Sequence, residues 1–132
     1  MKALPAKVSK AVSTGSTLVC ADNTGAKLLE IIAVKGYRGV KGRYPKAGVG
    51  DQVICSVKEG SEKMRKTIVE AVIIRQKKMY RRADGTRIRF DDNAAVLINK
   101  MREPVGTEIH GPVAREAVLR YPAIGKIASI VI

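Results

Sequence analysis

The sequence predicts an all-β protein, a small closed antiparallel barrel of about five or six short strands followed by a C-terminal extension with short helical turns. Three observations predict it. Apolar runs of strand length recur (STLVCA, AKLLEIIAV, QVICSVKEG, TIVEAVII, AAVLI), turn residues separate them, and no long stretch of helical periodicity intervenes. Closure would also remove the exposed edges that so many short strands otherwise present.

Residues 1–17 are polar, small and basic, with weak alternation from Lys7 to Val12, and read as a short edge strand or a mobile arm. Asp22, Asn23, Thr24 and Gly25 supply turn chemistry between STLVCA and AKLLEIIAV, which predicts a first hairpin. Residues 36–50 (GYRGVKGRYPKAGVG) hold five glycines and a proline and read as a loop. Glycine lets that backbone approach another closely, while its Lys and Arg side chains reach outward. Gln52 to Ile74 predicts a hairpin around the polar turn SEKMRK. From Ala71 to Asn99 the chain leaves an apolar strand, crosses a run of Lys and Arg and turns at Asp84-Gly85. It returns with Thr86, Ile88 and Phe90 on one face and Arg87 and Arg89 on the other. Asp-Gly favours the positive-φ positions of a tight hairpin turn. Residues 93–99, apolar on both faces, read as a central strand. From Pro104 onward three prolines and three glycines punctuate the chain, with one or two helical turns at 114–120.

At 132 residues the chain suits one domain with its own core, needing neither disulfides nor metals. Lys and Arg number 25 against 12 Asp and Glu, a net charge of +13 and a pI near 10.1. Such self-repulsion calls for an anionic partner, and nucleic acid leads. A membrane surface is disfavoured, because no basic amphipathic helix is visible and no apolar run approaches the ~20 residues of a span. The N-terminus lacks the apolar region of a signal peptide, so a cytosolic location is expected. Cys20 and Cys55 lie in separate apolar runs and read as buried thiols of a reducing compartment.

Catalysis finds no support. The single histidine, His110, has no ligand-spaced companions, so zinc is not expected. Gly36 and Gly39 have the form of a KH-type GxxG loop, but strands flank them. Gly125-Lys126 lacks the Ser or Thr and the earlier Gly of a phosphate-cradling loop, so no small-molecule nucleotide substrate is expected. Asp91-Asp92, with Asp51 or Glu70, could hold a divalent ion, but adjacent acids at a strand end more commonly cap a turn or pair with neighbouring Arg, here Arg87 or Arg89. Cofactors: none expected.

The basic residues concentrate in two places: Lys35, Arg38, Lys41, Arg43 and Lys46 in and beside the glycine-rich loop, and Arg75, Lys77, Lys78, Arg81, Arg82, Arg87 and Arg89 around the Asp84 turn. These twelve are the candidate RNA-binding residues. Aromatics are too sparse, at 4 %, for a base-stacking platform. Mobile cations on loops suit folded RNA recognised through phosphate, ribose and shape. A sequence-tolerant single-strand binder or RNA chaperone, and a barrel enzyme acting on oligonucleotides, remain open on charge alone.

Three motifs narrow this. Ala21 to Ala26 (ADNTGA), Ala47 to Asp51 (AGVGD), and Ala71-Val-Ile-Ile followed by Asp84-Gly85, Phe90, Asn93 and Val96-Leu97 resemble the universal large-subunit ribosomal protein family L-fourteen. The first dozen residues and the tail RYPAIGKIASIVI are closer to its archaeal and eukaryotic branch. The resemblance implies a five-stranded barrel with a C-terminal extension, bound to large-subunit rRNA. It further implies a bridge to small-subunit rRNA, neighbouring ribosomal proteins, and docking of an anti-association initiation factor. On that implication part of 107–132 is a protein-facing surface, with Thr107, His110, Arg115, Arg120 and Tyr121 as candidates. The bland alternative is that the apolar residues of this extension plug one end of the barrel.

Overall fold

The computed structural model describes residues 2–132. In chain order the strands are β1 (Ala6–Lys7), β2 (Val12–Ser13), β3 (Thr17–Cys20), β4 (Ala26–Val34), β5 (Lys46–Ala47), β6 (Gln52–Gly60), β7 (Ile68–Arg75), β8 (Tyr80–Arg82), β9 (Arg87–Ile88), β10 (Ala94–Ile98) and β11 (Ile109–Val113). Helices α1 (Arg115–Arg120) and α2 (Pro122–Ile127) follow, and β12 (Ala128–Val131) ends the chain.

Strands β3, β4, β6, β7 and β10 form the closed barrel that the sequence predicts. Four of its seams are antiparallel, and both expected hairpins are present: β3 with β4 around Asp22–Gly25, and β6 with β7 around the SEKMRK turn. The fifth seam is parallel, with Ala94 opposite Val19 and Ala95 opposite Cys20. Parallel closure follows from connectivity. Three antiparallel hairpin steps separate β3 from β7, and the fourth antiparallel step to β10 leaves that strand running in the direction of β3. β10 is buried along its whole length, as a strand apolar on both faces requires.

The barrel interior is aliphatic and tight: Leu29, Val53, Cys55, Ala71, Ile73 and Ala95 have no solvent-accessible surface. Cys20 and Cys55 are buried free thiols. Burial pushes both up to about 12 from an ordinary 9.0, with a hydrogen bond to Asp22 adding to the effect at Cys20.

The basic tip is not a simple extension of the barrel strands. Between β7 and β10 the chain forms its own β8–β9 hairpin, and β1 adds to the outer side of β8, making a separate three-stranded sheet. The turn also differs from the expected tight pair. Arg82 N–H donates to Thr86 O at 2.8 Å, which encloses three residues, and of these only Gly85 has positive φ (90°). A three-residue loop with glycine at the left-handed position is the next commonest way to join two antiparallel strands. The N-terminal residues are anchored twice, by β1 on β8 and by β2 on β5.

The C-terminal extension is buried against the barrel in one part and exposed in another. Ala117 and Ile124 are fully buried in the core cluster, so the helices do cover the barrel. β12 pairs in parallel with β11, yet Ile130, Val131 and Ile132 remain 55 %, 44 % and 42 % exposed.

Two outcomes follow from this packing. Ile124→Ala should destabilise by about 2–5 kcal/mol, because the cavity cannot drain to solvent, and urea unfolding will measure it. The buried Cys55 thiol favours the folded state fully below pH 9, and that contribution is lost as pH rises toward 12. The stability gap between wild type and Cys55→Ala should therefore narrow above pH 9; a constant gap would contradict the assignment.

Candidate nucleic-acid interface

The basic side chains divide into two populations. The first is consumed internally. Arg75, at the end of β7, is 8 % exposed in its side chain and forms a two-pronged ion pair with Asp92, Nε to Oδ1 at 2.8 Å and Nη2 to Oδ2 at 3.1 Å. Its Nη1 donates to the carbonyls of His110 and Pro112, both at 2.9 Å, tying β7 to β11. Arg82 gives Nε to Oε1 of the buried Glu116 at 2.7 Å and Nη2 to the Ile132 carbonyl at 2.6 Å. The ion pair with Glu116 raises the Arg82 pKa further. Tyr80 donates its hydroxyl to the same Glu116, and burial first, then that carboxylate, push the phenol's pKa up.

Arg75 and Arg82, placed by sequence among the RNA-binding cations, thus have their guanidinium groups occupied by the fold. Lys35 is intermediate, with Nζ 3.5 Å from Glu70 and half its side chain exposed. The partner of Asp92 is Arg75, not Arg87 or Arg89 as the local spacing implied, because the loop returns Asp92 beside the end of β7. Asp51 is likewise neutralised, by Lys10 at 2.6 Å and Arg120 at 3.0 Å, and Glu70 accepts from Gln52 and Lys35. Among the described residues no three His, Cys, Asp or Glu side chains converge as a metal site.

The second population is exposed and has no carboxylate partner among the described residues: Arg38, Lys41, Arg43 and Lys46 on the loop, and Lys77, Lys78, Arg81, Arg87 and Arg89 on the tip. At the turn, hydrogen bonds from the Thr86 hydroxyl and amide hold the Asp84 carboxyl below its ordinary range.

Loop and tip are joined at their bases by a residue that the sequence reading passed over. Gln76 is completely buried. Its Oε1 accepts from Val49 N–H at 3.0 Å, and its Nε2 donates to the carbonyls of Ser9 and Lys78 at 3.0 and 2.9 Å. One amide therefore holds the end of the glycine-rich loop, the N-terminal segment and the start of the tip. Gly48 permits this approach, since a Cβ there would lie 2.8 Å from the Ser9 carbonyl. Lys7 was also missed; its pairing opposite Arg81 places it on the tip, and its only sequence signal was the weak alternation from Lys7 to Val12.

The expected protein-facing residues split too. Thr107, His110 and Arg115 are exposed, with Thr107 held by Asn23 at 2.8 Å. Arg120 turns inward to Asp51 and to the carbonyls of Lys2 and Gly50. Tyr121 is 4 % exposed and donates weakly to Gln52. Both belong to the packing of the extension, because they bond Asp51 and Gln52 at the entry to β6.

Against this geometry, the family model described as ribosomal protein L14p/L23e matches residues 11–132. The chain belongs to that family. Proteins named large ribosomal subunit protein uL14 are similar over essentially the full length of both chains. Those of Methanocella arvoryzae and Methanoregula boonei are 55 % and 52 % identical over 132 residues, covering all of each chain. That of Methanococcus maripaludis is 53 % identical over 131 residues, 99 % of each. These relatives are archaeal, in agreement with the branch that the N-terminus and tail of this L14p/L23e member resemble.

The two cation populations predict opposite mutational signatures. Arg75→Met strands Asp92 and two carbonyls, and should cost about 3–5 kcal/mol in urea unfolding. Arg38→Ala should change stability by less than about 0.5 kcal/mol.

Proposed function

We propose that this chain is a structural constituent of the large ribosomal subunit and binds large-subunit rRNA chiefly through phosphates. The observation that carries the reading is the division of cations. Arg75, Arg82 and Arg120 are neutralised by carboxylates of the fold, whereas the cations of the 38–46 loop and those of the 77–89 tip other than Arg82 stand in solvent without carboxylate partners. A charge pattern that costs the free protein stability is accounted for by a polyanion that neutralises it.

Family membership supports the ribosomal setting and the basic loops support the RNA. On the same reading the protein contributes to a bridge with small-subunit rRNA and meets neighbouring ribosomal proteins and an anti-association initiation factor. The extension, with Thr107, His110 and Arg115 and the exposed edge at Ile130–Ile132, is the surface proposed for those proteins. Of these, His110, Ile130 and Val131 lie in a two-stranded sheet distinct from that of the tip.

Sedimentation tests the assignment: native protein should travel with large subunits in stoichiometric amount through a high-salt wash. Recovery at the top of the gradient would favour a non-ribosomal RNA-binding barrel or RNA chaperone instead. For purified protein and rRNA, about 6–8 phosphate contacts give a slope of log affinity against log salt of about −4 to −7, and a slope near −1 would refute phosphate-dominated binding.

A further inference from the structure

The three-stranded sheet outside the barrel carries a feature that neither loop composition nor family membership assigns. Register places Lys7 of β1 opposite Arg81 of β8, and Arg81 opposite Arg87 of β9. Directly opposed residues project from the same face, so these three cations form one row across three strands. With strands about 4.8 Å apart, the row spans about 10 Å, and each charge lies well inside the Debye length of its neighbour. All three are exposed and none has a carboxylate or hydrogen-bond partner among the described residues.

The opposite face explains why the sheet tolerates this. Ala6, Tyr80, Arg82 and Ile88 alternate with the row and point inward. Tyr80 is 2 % exposed, Ala6 and Ile88 pack on the core, and Arg82 and Tyr80 converge on Glu116. The inner face therefore holds the three strands together against the repulsion of the outer one. An open hollow of about 400 Å³ borders the row, and Lys78 and Ser9 line it beside Lys7, Arg81 and Arg87.

We propose that the Lys7–Arg81–Arg87 row binds consecutive phosphates of a single sugar–phosphate strand that runs across the sheet, perpendicular to β1, β8 and β9. Like charges aligned at strand spacing oppose folding, and a chain of anions with a repeating short separation neutralises each in turn. A scattered patch would accept anions in any direction, whereas a straight row on a rigid sheet sets the direction of the strand. This rests on the reading of the protein as an RNA binder and adds where, and in what orientation, one RNA backbone lies.

The test compares full-length wild type with Lys7→Gln/Arg81→Gln/Arg87→Gln and a control, Arg38→Gln/Lys41→Gln/Arg43→Gln, titrated with protein-free large-subunit rRNA over a range of salt. The row variant should have a salt slope shallower than wild type by about 2 to 3, since each lost phosphate contact removes about 0.7–0.9. Its urea midpoint at low salt should equal or exceed that of wild type, because repulsion has been relieved. Free inorganic phosphate should protect the wild-type protein far less than RNA of equal phosphate content. An unchanged slope in the row variant beside a reduced slope in the control overturns the row and leaves RNA binding standing. A wild-type slope near −1 overturns both. A lowered urea midpoint overturns the claim of strained like charge, and equal protection by free phosphate overturns the assignment to a continuous backbone.

Discussion

Closing a sheet of only five strands is the constraint on which the rest of this structure depends. A closed barrel has no edge, but the chain must still enter and leave at its ends, where ladder hydrogen bonds stop and backbone groups stay buried. Buried polar side chains answer that need at the strand termini. Asp22, just after β3, accepts from Leu97 N–H of β10 at 2.9 Å while also receiving Thr24 and Cys20, and so bolts the short parallel seam. Asp51 before β6, with Arg75 and Gln76 at and after the end of β7, fasten the loops that leave the barrel. Among the described residues every buried side-chain nitrogen and oxygen finds a partner. That completeness matters, because an orphaned polar group in so small a core costs as much as a lost side chain.

The same constraint sorts the cations. An arginine near a strand end can reach carbonyls and a carboxylate together, and its planar fork suits both, as Arg75 and Arg82 show. A lysine or arginine on a loop that projects beyond the barrel finds no such partners. Net charge alone does not distinguish the two cases; what the fold places within reach does, as neighbours Arg81 and Arg82 on β8 show, since only Arg82 faces Glu116. The exposed, unpartnered cations are therefore what remains of the basic inventory after the fold has taken its share.

Glu116 links the C-terminal extension to the basic sheet. It belongs to α1, which with its own Ala117 and with Ile124 of α2 packs against the core, yet it receives Tyr80 and Arg82 from the basic sheet. The extension and the tip are thus braced against one buried carboxylate, and the Arg82 contact with the main chain of Ile132 extends that brace to the residue after β12. The basic sheet and the β11–β12 sheet are separate but share a support.

Much of this was legible in the sequence because its signals are local. Apolar runs of strand length define β4 and β6, the apolar-on-both-faces AAVLI defines a buried β10, and the Asp22–Gly25 turn sets the first hairpin. The density of Lys and Arg around 35–46 and 75–89 marked the basic segments directly. What only the tertiary structure decided concerns residues distant in sequence. The partner of Arg75 lies seventeen positions away at Asp92, and its carbonyl acceptors lie further still, in β11. Pairing of β1 with β8 brings Lys7 beside Arg81, and burial of Tyr121 and the inward turn of Arg120 follow from how α1 docks. A side chain's charge is written in its residue type, but whether that charge is available to a partner depends on what the closed barrel places within hydrogen-bonding distance of it.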